Sequence, residues 1–159
     1  MLYCFGLSGI PRTDESPHRM LTLIHAMPMR FYFYPDFRLL FIHAHGVITQ
    51  TERVEAMLAW LRDPGYEFCT GALFDITDAQ STPKLTELRQ IIATLRQHLP
   101  ATGPRKLAIV TTKPIAFAVA RVFAQLLQLK GVPLEVRVFS DRERAWAWLR
   151  PDDPVPGDT

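Results

Sequence analysis

The sequence predicts one α/β domain: a mixed sheet of about five strands, opened by an N-terminal hairpin and continued by parallel βαβ units, with about four helices. Three observations carry that expectation. From about residue 29 onward, short apolar or aromatic runs alternate with stretches of helical period. The first two runs are joined by too few residues for anything but a hairpin, whereas each later pair is separated by a helix-length segment, which implies parallel strands and right-handed crossovers. The chain has 159 residues, 48% hydrophobic and 21% charged, the size and composition of a single globular domain. A chain of this length buries roughly two-thirds of its unfolded surface, so it needs no metal or disulfide staple.

The elements follow in order. Arg30 to Tyr34 is a strand by its aromatic content. Pro35 and Asp36 turn the chain into a second strand, Arg38 to His45, which stops at Gly46. Thr49 with Glu52 three residues on forms a capping box for a helix from Gln50 to Arg62, with Val54, Met57, Leu58 and Leu61 as its apolar stripe. Asp63-Pro64-Gly65 ends it. A third strand is expected from about Phe68 to Asp75, followed by a loop from Ile76 to Thr82. Pro83 suits the first position of the second helix, whose stripe is Leu85, Leu88, Ile92, Leu95 and Leu99. Lys106 to Thr112 reads as a buried strand. Pro114 opens the third helix, which runs to Lys130 and is capped by Gly131. Leu134 to Phe139 is the last strand. Ser140 with Glu143 forms a second capping box, for a helix from Asp141 to Arg150.

Three segments are expected: residues 1–28 as a disordered tail or an over-long gene start, 29–150 as the domain, and 151–159 as a disordered acidic tail. The first segment carries several prolines and glycines without a sustained period, and Met20, Met27 and Met29 are all possible starts.

Composition excludes several classes. Lys and Arg number 18 against 16 Asp and Glu, a net charge of +2 that is too mild for a dedicated nucleic-acid binder. The aromatic run Arg30 to Tyr34 invites an RNA-stacking reading, but the element order is wrong for the common RNA-binding sheet, and hairpin packing accounts for it. The most apolar run, Ile115 to Leu129, is shorter than the ~20 residues a bilayer needs and is interrupted by Arg121, Gln125 and Gln128. No signal peptide is legible at the N-terminus. The two cysteines, Cys4 and Cys69, have neither zinc-site nor redox spacing and read as free thiols in a reducing cytoplasm. No cofactor, nucleic-acid partner or integral membrane segment is expected.

Four places could carry chemistry. His43 and His45 share one face of a strand, yet lack the third or fourth ligand a metal needs, so no metal site is expected. Asp75, Thr77 and Asp78 follow one strand and Thr111, Thr112 and Lys113 follow another, at the carboxyl edge where parallel sheets bind ligands. Simple turn and cap roles compete with that reading. The third helix is apolar nearly all round, and its small residues Ala116, Ala118, Ala120 and Ala124 allow close approach or a cavity.

Several phrases then point to one family. Gly46-Val47-Ile48-Thr49 precedes the first helix, Ala72-Leu73-Phe74-Asp75 ends a strand, Lys106 to Thr111 reads KLAIVT, and Val138-Phe139-Ser140-Asp141 is followed by Ala147-Trp148-Leu149. In this order and spacing, from Met29 to Arg150, they resemble the STAS domain family, whose best-known members are bacterial anti-sigma-factor antagonists. The similarity is closest to the STAS-like, CRAL-TRIO-like bacterial branch. The resemblance implies a STAS-like fold and a non-enzymatic, cytoplasmic module. In the regulatory members a Ser or Thr directly after the strand-ending Asp is phosphorylated. Here Ile76 follows Asp75, the D-S-x-G phrase is absent, and Thr77 is displaced by one position, so phosphorylation of Thr77 is the weakest of these expectations.

The leading expectation is therefore a regulatory module that binds a protein partner, or a second copy of itself, through Asp75, Thr77, Asp78, Ser81 and Lys84. The alternative is a carrier of a small apolar ligand between the third helix and the sheet, with Thr111, Thr112, Lys113, Phe117, Ala120 and Phe123 as its site. A small hydrolase or transferase on Asp75, Asp78, Thr112 and Lys113 comes third, and requires those groups to converge on one point.

Overall fold

A computed structural model describes residues 28–152. The expected tails at 1–28 and 151–159 lie almost wholly outside the described residues, together with Cys4, His18 and His25. The elements are β1 (Met29–Tyr34), β2 (Leu39–Gly46), α1 (Gln50–Arg62), β3 (Gly71–Ala79), α2 (Leu85–His98), β4 (Lys106–Val110), α3 (Pro114–Leu129), β5 (Glu135–Phe139) and α4 (Arg142–Leu149), with short 3-10 turns at Pro35–Phe37 and Pro64–Phe68. The expected mixed sheet of five strands with four helices is what forms.

The strands lie in sequence order, β1-β2-β3-β4-β5. β1 runs antiparallel to β2 and every other pair is parallel. Because each parallel step moves one place in the same direction, crossovers of one hand put α1, α2 and α3 on a single face. Their buried side chains bear this out: Met57, Trp60 and Leu61 of α1, Ile92 and Leu95 of α2, and Ala120 and Leu127 of α3 pack with Phe31, Phe33, Leu40, Ile42, Ala72, Leu107 and Ile109. The intervening strand residues Leu73, Ala108 and Val110 point to the opposite face and meet Ala145 of α4. α4, the last element among the described residues, packs on that face through Ala145.

Local chemistry fixes the ends. Thr49 Oγ1 accepts from the Glu52 N–H at 3.2 Å and Glu52 Oε2 accepts from the Thr49 N–H at 2.7 Å, the reciprocal box expected for α1. Gly131, at φ +67°, closes α3; its N–H donates to Gln128 O and that of Val132 to Leu127 O, both at 3.1 Å.

Four expectations need correction. β3 does not end at Asp75: it runs to Ala79, because residues 78–79 pair with β2 beyond a register shift between His43 and His45. It also starts later, since Phe68 closes a 3-10 turn and is exposed. α1 buries Met57, Trp60 and Leu61 rather than the Val54 and Leu58 side, which rotates the stripe toward Arg53 and Trp60. Leu85 of α2 is half-exposed, and Pro83 lies outside the helix because Glu87 Oε1 takes the Lys84 N–H at 2.9 Å and sets the start there. The cap of α4 is Asp141 rather than Ser140: its Oδ1 accepts from the Arg144 N–H at 2.8 Å.

Candidate functional site

A cavity of about 390 Å3 opens at the carboxyl edge of the parallel strands, between the sheet, α2 and α3. Its floor is Ala44 of β2, Phe74 and Ile76 of β3 and Ile109 of β4, all on the three-helix face. Leu88 and Ile91 of α2 form one wall; Ala116, Val119, Ala120 and Phe123 of α3 form the other. The sequence makes this space by where it puts alanine. Ala44, Ala116 and Ala120 are buried, and Ala79 lies at the rim. Leucine at any of the three buried positions would occupy volume that is open here. The mouth is framed by exposed Gln80, Thr82, Lys113, Pro114 and Ile115.

The polar groups of this lining are few. Arg53 of α1 reaches Ser81 Oγ through Nη2 at 3.2 Å, and its Nη1 lies 3.7 Å from Glu87 Oε2. Its side chain is only 12% exposed. Burial pushes the Arg53 guanidinium below its ordinary pKa, an effect that Glu87 and Glu52 oppose. Ser81 Oγ is doubly committed, accepting from the Ile48 N–H at 2.9 Å and donating to Ile48 O at 3.2 Å. Lys113 Nζ donates to the Ala79 carbonyl. A smaller cavity of about 90 Å3 continues toward the other end of the sheet and shares Arg53, Phe74, Ile91 and Phe123 with the first.

The opposite face is organised differently. Asp75 is buried; its Oδ1 accepts from the Thr77 N–H at 2.9 Å and its Oδ2 pairs with Arg142 Nε of α4 at 2.5 Å. Burial pushes its carboxyl up, but the Thr77 hydroxyl and N–H and the Arg142 guanidinium outweigh that and hold it below its usual range. Arg142 also stacks over Phe41, 5.3 Å from the ring centroid. Beside them His43 Nε2 lies 2.9 Å from Asp78 Oδ2, and Arg30 Nη2 lies 3.3 Å from His43 Nδ1. A guanidinium can only donate, so Nδ1 accepts and the ring proton on Nε2 goes to Asp78. The His43 and His45 rings stack at 6.1 Å. Among the described residues no group of three or more His, Cys, Asp or Glu is placed to hold a metal ion, and no helix is long and apolar enough to cross a membrane.

The residues singled out from the sequence thus fall in several places. Of the ligand set, Lys113, Ala120 and Phe123 line the cavity. Thr111 is fully buried, its Oγ1 accepting from the Lys113 N–H at 3.2 Å, Thr112 is exposed and Phe117 is half-buried; none of the three is in the lining. Of the partner set, Ser81 lines the cavity, Lys84 and Asp78 are exposed, Thr77 is half-buried in β3 and Asp75 is sealed under α4. The four groups of the hydrolase reading are divided: Asp75 turns to Arg142, Asp78 to His43, Lys113 to the cavity side, and Thr112 is exposed outside the lining. Arg53 was not among the sequence candidates. The available signal was its position four residues before Met57, on the buried side of α1. Cys69 is an inert thiol, burial pushing it up to about 11.

The family model described as SpoIIAA-like matches residues 39–150, from the start of β2 to the residue after α4. Among solved structures the chain is similar to an uncharacterized protein from the DUF3478 family with a SpoIIAA-like fold from Shewanella loihica PV-4. The identity is 23%, the match covers 70% of this chain and 83% of that one, and the TM-score is 0.48. No curated protein matches the chain. The STAS-like resemblance carried by the strand-end phrases is borne out, and with a family model spanning well over half of its 159 residues the chain belongs to the SpoIIAA-like family.

Proposed function

We propose that this STAS-like module is non-enzymatic and holds a small, largely apolar molecule in the cavity between α3 and the sheet. One observation carries the reading: about 390 Å3 of open space walled by Phe74, Ile76, Ile109, Val119 and Phe123. Protein interiors pack to crystal density and leave few voids larger than a water molecule. A space this size falls within the ~300–1,000 Å3 of small-molecule sites. The division of Asp75, Asp78 and Lys113 among separate partners supports binding over catalysis.

A partner-binding role at the same edge has its own support. Val47, Leu85 and Ile115 are large apolar side chains exposed at 69%, 50% and 73%, each directly after a parallel strand or at the start of a helix. Asp78 and Lys84 supply charge nearby in the chain. The segment Gln80 to Pro83 is both cavity wall and surface, so an occupant would alter what a partner meets.

Native mass spectrometry of the protein recovered from its own host tests both. A bound mass on the order of 200–400 Da, absent from an Ala120→Phe variant that fills the space, is the expected result. A protein-sized adduct lost on Asp78→Lys supports the partner role. A bare wild-type monomer, with Ala120→Phe leaving the spectrum unchanged, sinks both.

A further inference from the structure

We infer that the cavity selects an anionic amphiphile, a linear carboxylate whose head group pairs with Arg53 while its chain fills the apolar space; this rests on the ligand-binding reading above. The argument starts from charge. Two cations, Arg53 and Lys113, contribute to the lining and no Asp or Glu does. Glu87 touches the Arg53 guanidinium only at 3.7 Å and is not part of the wall. The guanidinium has five N–H donors. Its polar contacts are Gln50 Oε1 at 3.5 Å, Ser81 Oγ at 3.2 Å and that long ion pair. A largely desolvated guanidinium with loose partners gains most from a charge-assisted, bidentate carboxylate.

Shape supplies the second half. Arg53 stands where the two cavities meet, sharing that neck with Phe74, Ile91 and Phe123. A head group held there leaves the larger space for a chain. An engineered cavity of about 150 Å3 accommodates benzene, so the larger space has room for roughly 12–16 carbon atoms on that scale. Lys113 at the mouth provides a second positive field on the entry route.

The test uses the full chain and three probes that differ only in the head group: dodecanoate, dodecanol and dodecylammonium, with affinities measured by calorimetry. Dodecanoate is expected to bind roughly ten- to a hundredfold tighter than dodecanol, and Arg53→Gln to bring the two together while leaving dodecanol unchanged. Lys113→Gln is expected to lower dodecanoate affinity by a smaller factor. Equal binding of carboxylate and alcohol by the wild type overturns the inference and leaves the apolar cavity standing. Tightest binding of the ammonium overturns it as well. If none of the probes binds, the ligand-binding reading falls too. A loss on Lys113→Gln with none on Arg53→Gln moves the head group to the mouth and refutes the assignment to Arg53. Should Arg53→Gln fail to fold, the wild-type ratio decides alone.

Discussion

The two faces of the sheet are built on opposite plans. One is covered by three helices and yet encloses open space; on the other the eight-residue α4 packs closely over the middle strands. On the first face α3 presents Ala116 and Ala120 to the sheet and leaves Val122 and Leu129, at 39% and 80% exposure, outside. On the second, Ala145, fully buried, meets Leu73, Ala108 and Val110, and Trp146 packs edge-on against Phe37 at 5.1 Å. Both plans use alanine at the contact. The difference is what lies opposite: where the neighbouring helix also holds back, alanine makes a cavity, and where the sheet is close, it permits close approach. Number of covering helices is therefore a poor guide to packing, and the cavity lies on the face with the larger cover.

Breaking the closed face has the largest effect. Trp146 is 5% exposed and is the main aromatic anchor of α4. Trp146→Ala should cost about 3–5 kcal/mol, the range for truncating a buried aromatic. Denaturant unfolding is the measurement. A loss under about 1 kcal/mol would mean that α4 contributes little and that the contrast between the faces is drawn wrongly.

The same substitution on both faces sharpens the contrast. Ala145→Leu pushes a larger side chain into a closed contact and should destabilise by about 1–3 kcal/mol. Ala120→Leu extends into the cavity and should be within about 1 kcal/mol of the wild type, on the stabilising side. Thermal unfolding of the pair decides it. Equal losses would show that the space beside Ala120 does not accept a side chain.

Much of this architecture was legible in the sequence, and the misses share a cause. α1 is where its capping box puts it, and α3 lies between Pro114 and Gly131 as expected. The run Ile76 to Thr82 reads as a loop, yet its first residues are strand, since the pairing of His45 with Asp78 and Gly46 with Ala79 comes from β2 and not from local preference. Arg53 was missed likewise: α1 has a weak apolar stripe, and only Trp60 and Met57 against β1 and β2 decide which side is inward. The alanines of α3 were visible as a feature; the wall facing them, from β3 and α2, required the fold.

The smallest effect concerns the ionic latch of the closed face. Asp75 holds α4 through Arg142, and its folded pKa lies below the ordinary value. A depressed carboxylate contributes stability that is present above its unfolded pKa, about 3.9, and is lost as pH falls through the lower folded value. Arg142 is 53% exposed, so solvent screens the pair and the contribution is about 1 kcal/mol. Asp75→Asn keeps an acceptor for the Thr77 N–H but removes the charge. The variant should therefore be about 1 kcal/mol less stable than the wild type at neutral pH, and the two stability curves should converge below about pH 4. Curves that stay parallel through that range would mean that the carboxylate holds α4 by shape and hydrogen bonding alone, and that the closed face owes its closure to Trp146 and Ala145 rather than to charge.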